Sequence, residues 1–188
     1  MTTFFLAGTM QGARTGSNLV DQSYRAALTS AIRARRPGAV IHDPGLLMAE
    51  WEAAHPADIR AAHAGLTAVR SVHRSELAPE LVDLTDMFHR LTLLAARSDI
   101  CVAWLPGHEP SMGTAAEMLS AYRAGRTVVS ITAMRQNLAV LACSTVILPD
   151  LPAFTQWLDH EAAPHRAAPP RPAPRRPAPH RAAPHHVA

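Results

Sequence analysis

Lysine is absent from this chain of 188 residues, and all 18 basic residues are arginine. The absence reads as a compositional bias and points to no mechanism. Cysteine is nearly absent too: Cys101 and Cys143 stand alone, each among apolar neighbours. Two such residues read as small buried hydrophobes in a reducing compartment, which argues against a disulfide framework and a metal site. No apolar run approaches the roughly 18–20 residues of a membrane span. The opening Met1-Thr2-Thr3-Phe4-Phe5-Leu6-Ala7-Gly8 lacks a basic leader and a long apolar core, so no signal peptide is expected, and the cytoplasm is the default location. Up to Asp159 there are thirteen Arg against fourteen Asp or Glu, whereas from His160 onward five Arg face Glu161 alone. The positive charge belongs to the tail, so the folded body carries no nucleic-acid footprint.

What is present is an alternation of short apolar runs with amphipathic stretches. Strands are expected at Thr3-Phe4-Phe5-Leu6-Ala7, Ala39-Val40-Ile41-His42, the run from Asp99 to Pro106, Thr127-Val128-Val129-Ser130-Ile131 and Thr145-Val146-Ile147-Leu148. The intervening segments read as helices. One is capped by Ser17 or Asn18, with Asp21 in its first turn. A second carries a face of Leu81, Leu84, Phe88, Leu91 and Ala95, and a third runs from Met134 to Ala142. Residues 46–75 read as one or two helices forming a lid or subunit contact. Strands alternating with helices predict an α/β fold: one domain over 1–159 with a doubly wound, five-stranded parallel sheet, Rossmann-like or flavodoxin-like. Residues 160–188, rich in Pro, Ala, Arg and His, are expected to be a disordered tail.

The chain is organised around its middle strand and the loop after it, Ser111-Met112-Gly113-Thr114-Ala115-Ala116-Glu117. A parallel strand ending near Leu105 delivers this loop to the carboxyl edge of the sheet, where open α/β folds place their ligands. Gly113 lets backbone approach a ligand, Ser111 and Thr114 offer hydroxyls, and the free N–H groups of a helix start attract an anion. A carboxylate one turn further in, Glu117, costs something beside a phosphate, and so suggests a task. The plainer alternative is an ordinary N-cap with a Glu in the first turns. The loop after the first strand, with Gly8, Thr9, Gly12 and Arg14, fits a second wall of a nucleotide site. Arg14 is its candidate phosphate or carboxylate clamp. Asp86 or His89 is the candidate acid or sugar contact, and Asp43 and Asn137 are candidate base or sugar contacts. His55, His63 and His73 show no ligand spacing, so no metal is expected, and nothing calls for an organic cofactor.

Taken together, Phe5-Leu6-Ala7-Gly8, the Ser111-to-Glu117 motif and the β–α order between them resemble the nucleoside 2-deoxyribosyltransferase-like family, which includes nucleoside 5'-monophosphate N-glycosidases. The similarity spans about Thr3 to Leu158. It implies that Glu117 attacks the anomeric carbon and holds the sugar covalently, as a carboxylate does in retaining glycosidases. The family's transferases carry an Asp six residues before that Glu, and its monophosphate hydrolases a Ser that contacts the 5'-phosphate. Ser111 therefore implies a phosphorylated substrate. The chain departs at Leu91, where the family usually has an Asp serving as acid or sugar contact. Transfer between free nucleosides, a phosphoribohydrolase of the cytokinin-activating type, and a binding protein without turnover are the alternatives. Family members commonly build each site with a neighbouring subunit, which implies a homodimer or larger homo-oligomer.

Overall fold

The computed structural model describes residues 1–10, 21–54 and 58–160. Gly12, Arg14, Ser17, Asn18 and the tail from residue 161 lie outside the described residues, as does His55. Five strands form one parallel sheet: β1 (Thr3–Gly8), β2 (Val40–His42), β3 (Ile100–Leu105), β4 (Thr127–Thr132) and β5 (Val146–Leu148), in the order β2-β1-β3-β4-β5. That order is the doubly wound, flavodoxin-like one, with its switch point between β1 and β3.

The three central strands are buried on both faces, as a parallel sheet covered by helices requires. In β1, Phe5 and Ala7 join one core with Cys101, Ala103 and Leu105 of β3. Phe4 and Leu6 join the other core with Ile100 and Val102. This period-two alternation sends successive side chains to opposite faces. Helix α1 (Ser23–Arg35) and helix α7 (Leu151–His160) cover the second core with Leu28, Ile32, Phe154, Trp157 and Leu158. Helices α4 (Pro79–Arg97), α5 (Met112–Arg123) and α6 (Leu138–Cys143) cover the first, with α2 (Pro44–Ala54) packed at its margin. Helix α3 (Asp58–Gly65) packs on α4. No described helix is long and apolar enough to cross a membrane.

Several boundaries differ from expectation, each for a local reason. The first helix begins at Ser23, and Asp21 stands before it, accepting from the Ser23 backbone N–H at 2.9 Å and its hydroxyl at 2.7 Å. Helix α2 starts at Pro44, two residues before the expected 46, because Asp43 Oδ1 accepts from the Gly45 N–H at 2.8 Å and opens the helix. Helix α6 starts four residues later than Met134, since Asn137 caps it by accepting from the N–H groups of Ala139 (3.0 Å) and Val140 (3.3 Å). On α4 the buried line is Leu81, Met87, Leu91 and Ala95, while Phe88 is 40% exposed. Asp99 stands just before β3 and ties it to β1, accepting from the Thr3 N–H at 2.9 Å and the Thr3 hydroxyl at 2.8 Å.

Candidate active site

The carboxyl ends of β1 and β3 are adjacent, with Gly8 paired to Trp104 and the Thr9 N–H donating to the Trp104 carbonyl at 3.4 Å. Helix α5 starts above this edge. Ser111 is its N-cap in an extended conformation, and its Oγ accepts from the Thr114 N–H (3.3 Å) and the Thr114 hydroxyl (2.9 Å). The Ser111 hydroxyl hydrogen is not consumed by these bonds and stays available to a ligand. Thr114 is buried, and Gly113 is partly open beside the Phe88 ring.

One turn on, Glu117 points inward and is 7% exposed. No described residue donates a hydrogen bond to its carboxyl. Burial pushes that carboxyl up to about 8, and the Arg25 guanidinium pulls against the rise. The Cys101 thiol, also buried, is pushed up by burial first and by Glu117 second. An inward carboxyl with so little support is uncommon in a core, because burying an unpaired acid is unfavourable. Such a group is a candidate for function.

Arg25 and Tyr24, side by side on α1, complete the picture, and neither was singled out from the sequence. Strand β2 ends at His42 opposite Phe5, which leaves the Leu6 carbonyl without a β2 partner. Arg25 reaches into that place: Nη1 donates to Leu6 O at 2.8 Å and to Asp43 Oδ1 at 3.0 Å, and Nε donates to Gln22 Oε1 at 2.8 Å. Gln22 Nε2 in turn donates to Thr9 O at 3.0 Å, tying the edge of β1 to the start of α1. Tyr24 lies flat on Trp104, with ring centroids 5.6 Å apart, and Arg25 sits 5.0 Å from the centre of the Tyr24 ring. Burial raises the Tyr24 phenol to about 12, so it remains a neutral donor. An Arg next to an apolar stripe, with an Asp just after the neighbouring strand, was the available signal.

The predicted residues divide accordingly. Glu117, Ser111, Thr114, Gly113, Gly8 and Thr9 gather at one sheet edge. Gly8 is there for packing: a methyl on it would lie 2.8 Å from Tyr24 Cζ, so the residue keeps room for the phenol. Asp43 is the ion-pair partner of Arg25 and the cap of α2. Asn137 is an exposed cap. Asp86 and His89 are exposed on α4, on the side away from Leu91, which is buried in the core. Among the described residues no three His, Cys, Asp or Glu form a cluster fit for a metal ion.

No family model matches the chain, and no curated protein does. Solved structures do. The 2-deoxyribosyltransferase of Bacillus psychrosaccharolyticus superposes with a TM-score of 0.50 at 14% identity, over 82% of this chain and 90% of that one. A conserved protein of Enterococcus faecalis V583 gives 0.50 at 19% identity, over 85% and 98%. The Clostridium botulinum CMP N-glycosidase BcmB gives 0.42 at 13% identity, over 84% and 98%. The first two overlays show a shared fold. At these identities they assign no chemistry, which has to come from the site itself.

Proposed function

We propose that this protein cleaves, or transfers across, the N-glycosidic bond of a nucleoside 5'-monophosphate, with Glu117 as nucleophile. The observation that carries the reading is the Glu117 carboxyl itself, buried at the β1/β3 switch point one turn below a hydroxyl-lined helix start. The nucleoside chemistry of the 2-deoxyribosyltransferase that shares the fold agrees with it. Ser111 and the first N–H groups of α5 would hold the phosphate, since a hydroxyl and a helix N-terminus both favour an anion. Glu117 then faces the sugar from one turn away. Its ionised oxygen attacks C1' as the base departs with the bonding electrons, and water later releases the sugar phosphate. A desolvated carboxylate is the stronger nucleophile, and burial of Glu117 to 7% exposure keeps most bulk water from it. Assembly as a homodimer or larger homo-oligomer belongs to the same proposal. The exposed apolar side chains of Met112, at the start of α5, and Phe88, beside Gly113, support it.

Leu91 favours a second reading. Its side chain lies in the core, so α4 sends no acid from that position to the site, and a nucleotide-binding protein without turnover has this feature in its favour. Incubation with ribo- and deoxyribonucleoside monophosphates, followed by chromatography for free base, separates the two. Base release that disappears in Glu117→Ala is the expected result. Release that survives the substitution removes Glu117 from the mechanism, and no release from any nucleotide leaves the binding reading.

A further inference from the structure

Among the described residues, two buried polar atoms at this edge have no hydrogen-bond partner: Arg25 Nη2 and Thr9 Oγ1. Arg25 is 5% exposed and Thr9 fully buried. Leaving a guanidinium N–H and a hydroxyl unpaired away from water is unfavourable, and such orphans in a folded protein call for a reason. Arg25 satisfies its other nitrogens on Leu6, Asp43 and Gln22, and Gln22 bridges it to the backbone of Thr9. The two orphans thus belong to one hydrogen-bonded unit at the end of β1, and Arg25 is the cation that bears on Glu117.

We propose that Arg25 Nη2 and Thr9 Oγ1 form a substrate-binding subsite that takes a neutral oxygen acceptor of the nucleotide, a sugar hydroxyl or a base carbonyl, beside the bond that Glu117 attacks. The inference rests on the nucleotide reading above and adds the group recognised. The charge of the site decides between neutral and anionic oxygen. Arg25 is already matched by Asp43 at 3.0 Å, with both side chains almost wholly buried. A phosphate placed there would add uncompensated negative charge next to Asp43 and Glu117, whereas a hydroxyl or carbonyl accepts the free N–H without altering the balance. The Thr9 hydroxyl adds a second donor, and because it also accepts, it suits a sugar hydroxyl as well as a carbonyl. Phosphate and neutral oxygen are therefore read at opposite ends of one substrate, by the α5 start and by Arg25.

The test is calorimetric titration of matched nucleotides against the wild-type chain, Arg25→Lys and Thr9→Val. Ribose and 2'-deoxyribose monophosphates report on the sugar hydroxyl, and bases with and without a ring carbonyl report on the base. In wild type, one matched pair is expected to differ by about 10- to 100-fold in Kd, the range of a hydrogen bond to a charged donor. The pair that differs names the source of the oxygen. In Arg25→Lys, which keeps the charge and loses the fork, that ratio should fall to near one, and in Thr9→Val it should shrink. Thr9→Val removes a hydroxyl with no partner to lose, so its melting temperature holds or rises, and the test survives if Arg25→Lys unfolds. Folded variants that keep the wild-type ratios overturn the proposal. Wild type binding none of the nucleotides overturns both this subsite and the reading it rests on. An Arg25-dependent ratio without base release supports the subsite and removes hydrolysis alone.

Discussion

The Glu117→Gln substitution separates the stability cost of the site from its chemistry. Glu117 has an ordinary value of 4.5 and sits at about 8 in the fold. The folded state therefore holds its proton more tightly than the unfolded chain does. Below pH 4.5 both states are protonated and burial carries no titration cost. As pH rises past 4.5 the unfolded chain ionises first, so stability falls until the folded carboxyl also ionises near pH 8. At about 1.4 kcal/mol per pH unit, the loss is ~3 kcal/mol at pH 7 and approaches ~5 kcal/mol above pH 8. Gln is nearly isosteric and does not titrate, so the variant should be more stable than wild type by about 3 kcal/mol at pH 7 and lack this pH-dependent loss. Urea unfolding of both proteins at pH 5, 7 and 8.5 measures the difference. Parallel stability curves with the same slope in pH would refute the reasoning, because they mean that Glu117 titrates as a solvated carboxyl.

Further outcomes follow from the same geometry. Because the nucleophile acts as the carboxylate, kcat/KM should rise with pH and level off near 8; a profile that falls through the same range would make Glu117 an acid. Gly8→Ala should cost about 1–3 kcal/mol in urea unfolding, since its methyl collides with the Tyr24 ring stacked on Trp104; an unchanged midpoint would show that the ring moves away freely. Asp99→Ala should cost about 1 kcal/mol at pH 7, discounted for a carboxyl about a third exposed. The Thr3 N–H first of all holds the Asp99 carboxyl below its ordinary 3.8, so its contribution is present above that value and is lost as pH falls through the folded one. A difference between wild type and Asp99→Ala that does not narrow in acid contradicts this.

The strands were legible because period-two burial leaves near-continuous apolar runs such as Phe4 to Ala7 and Ile100 to Ala103, which few other arrangements explain. Their alternation with helices was enough for the sheet's class. Helix starts were less legible, because Asp21, Asp43 and Asn137 act through side-chain bonds to the next turn, and such residues look alike in loops and at caps. On α4 a face drawn through Phe88 missed Met87, since apolar residues adjoin on both sides of the stripe. Within the site, the Ser111-to-Glu117 spacing was readable because one helix carries it. Arg25 was not, as its partners Leu6 and Asp43 come from two other segments that only the fold brings to it. Gly8 was read as part of a nucleotide-site wall, and its close neighbour Tyr24, which a Cβ there would meet, comes from a helix the sequence alone did not place beside it.

The central claim, that the Glu117 carboxylate bonds to C1', is tested most directly by trapping. Incubation with a 2'-fluoro nucleoside 5'-monophosphate that slows hydrolysis of the glycosyl intermediate, followed by peptide mass spectrometry, should place the sugar phosphate on Glu117. Base released in equal amount with no adduct, or an adduct on another residue, would contradict the account.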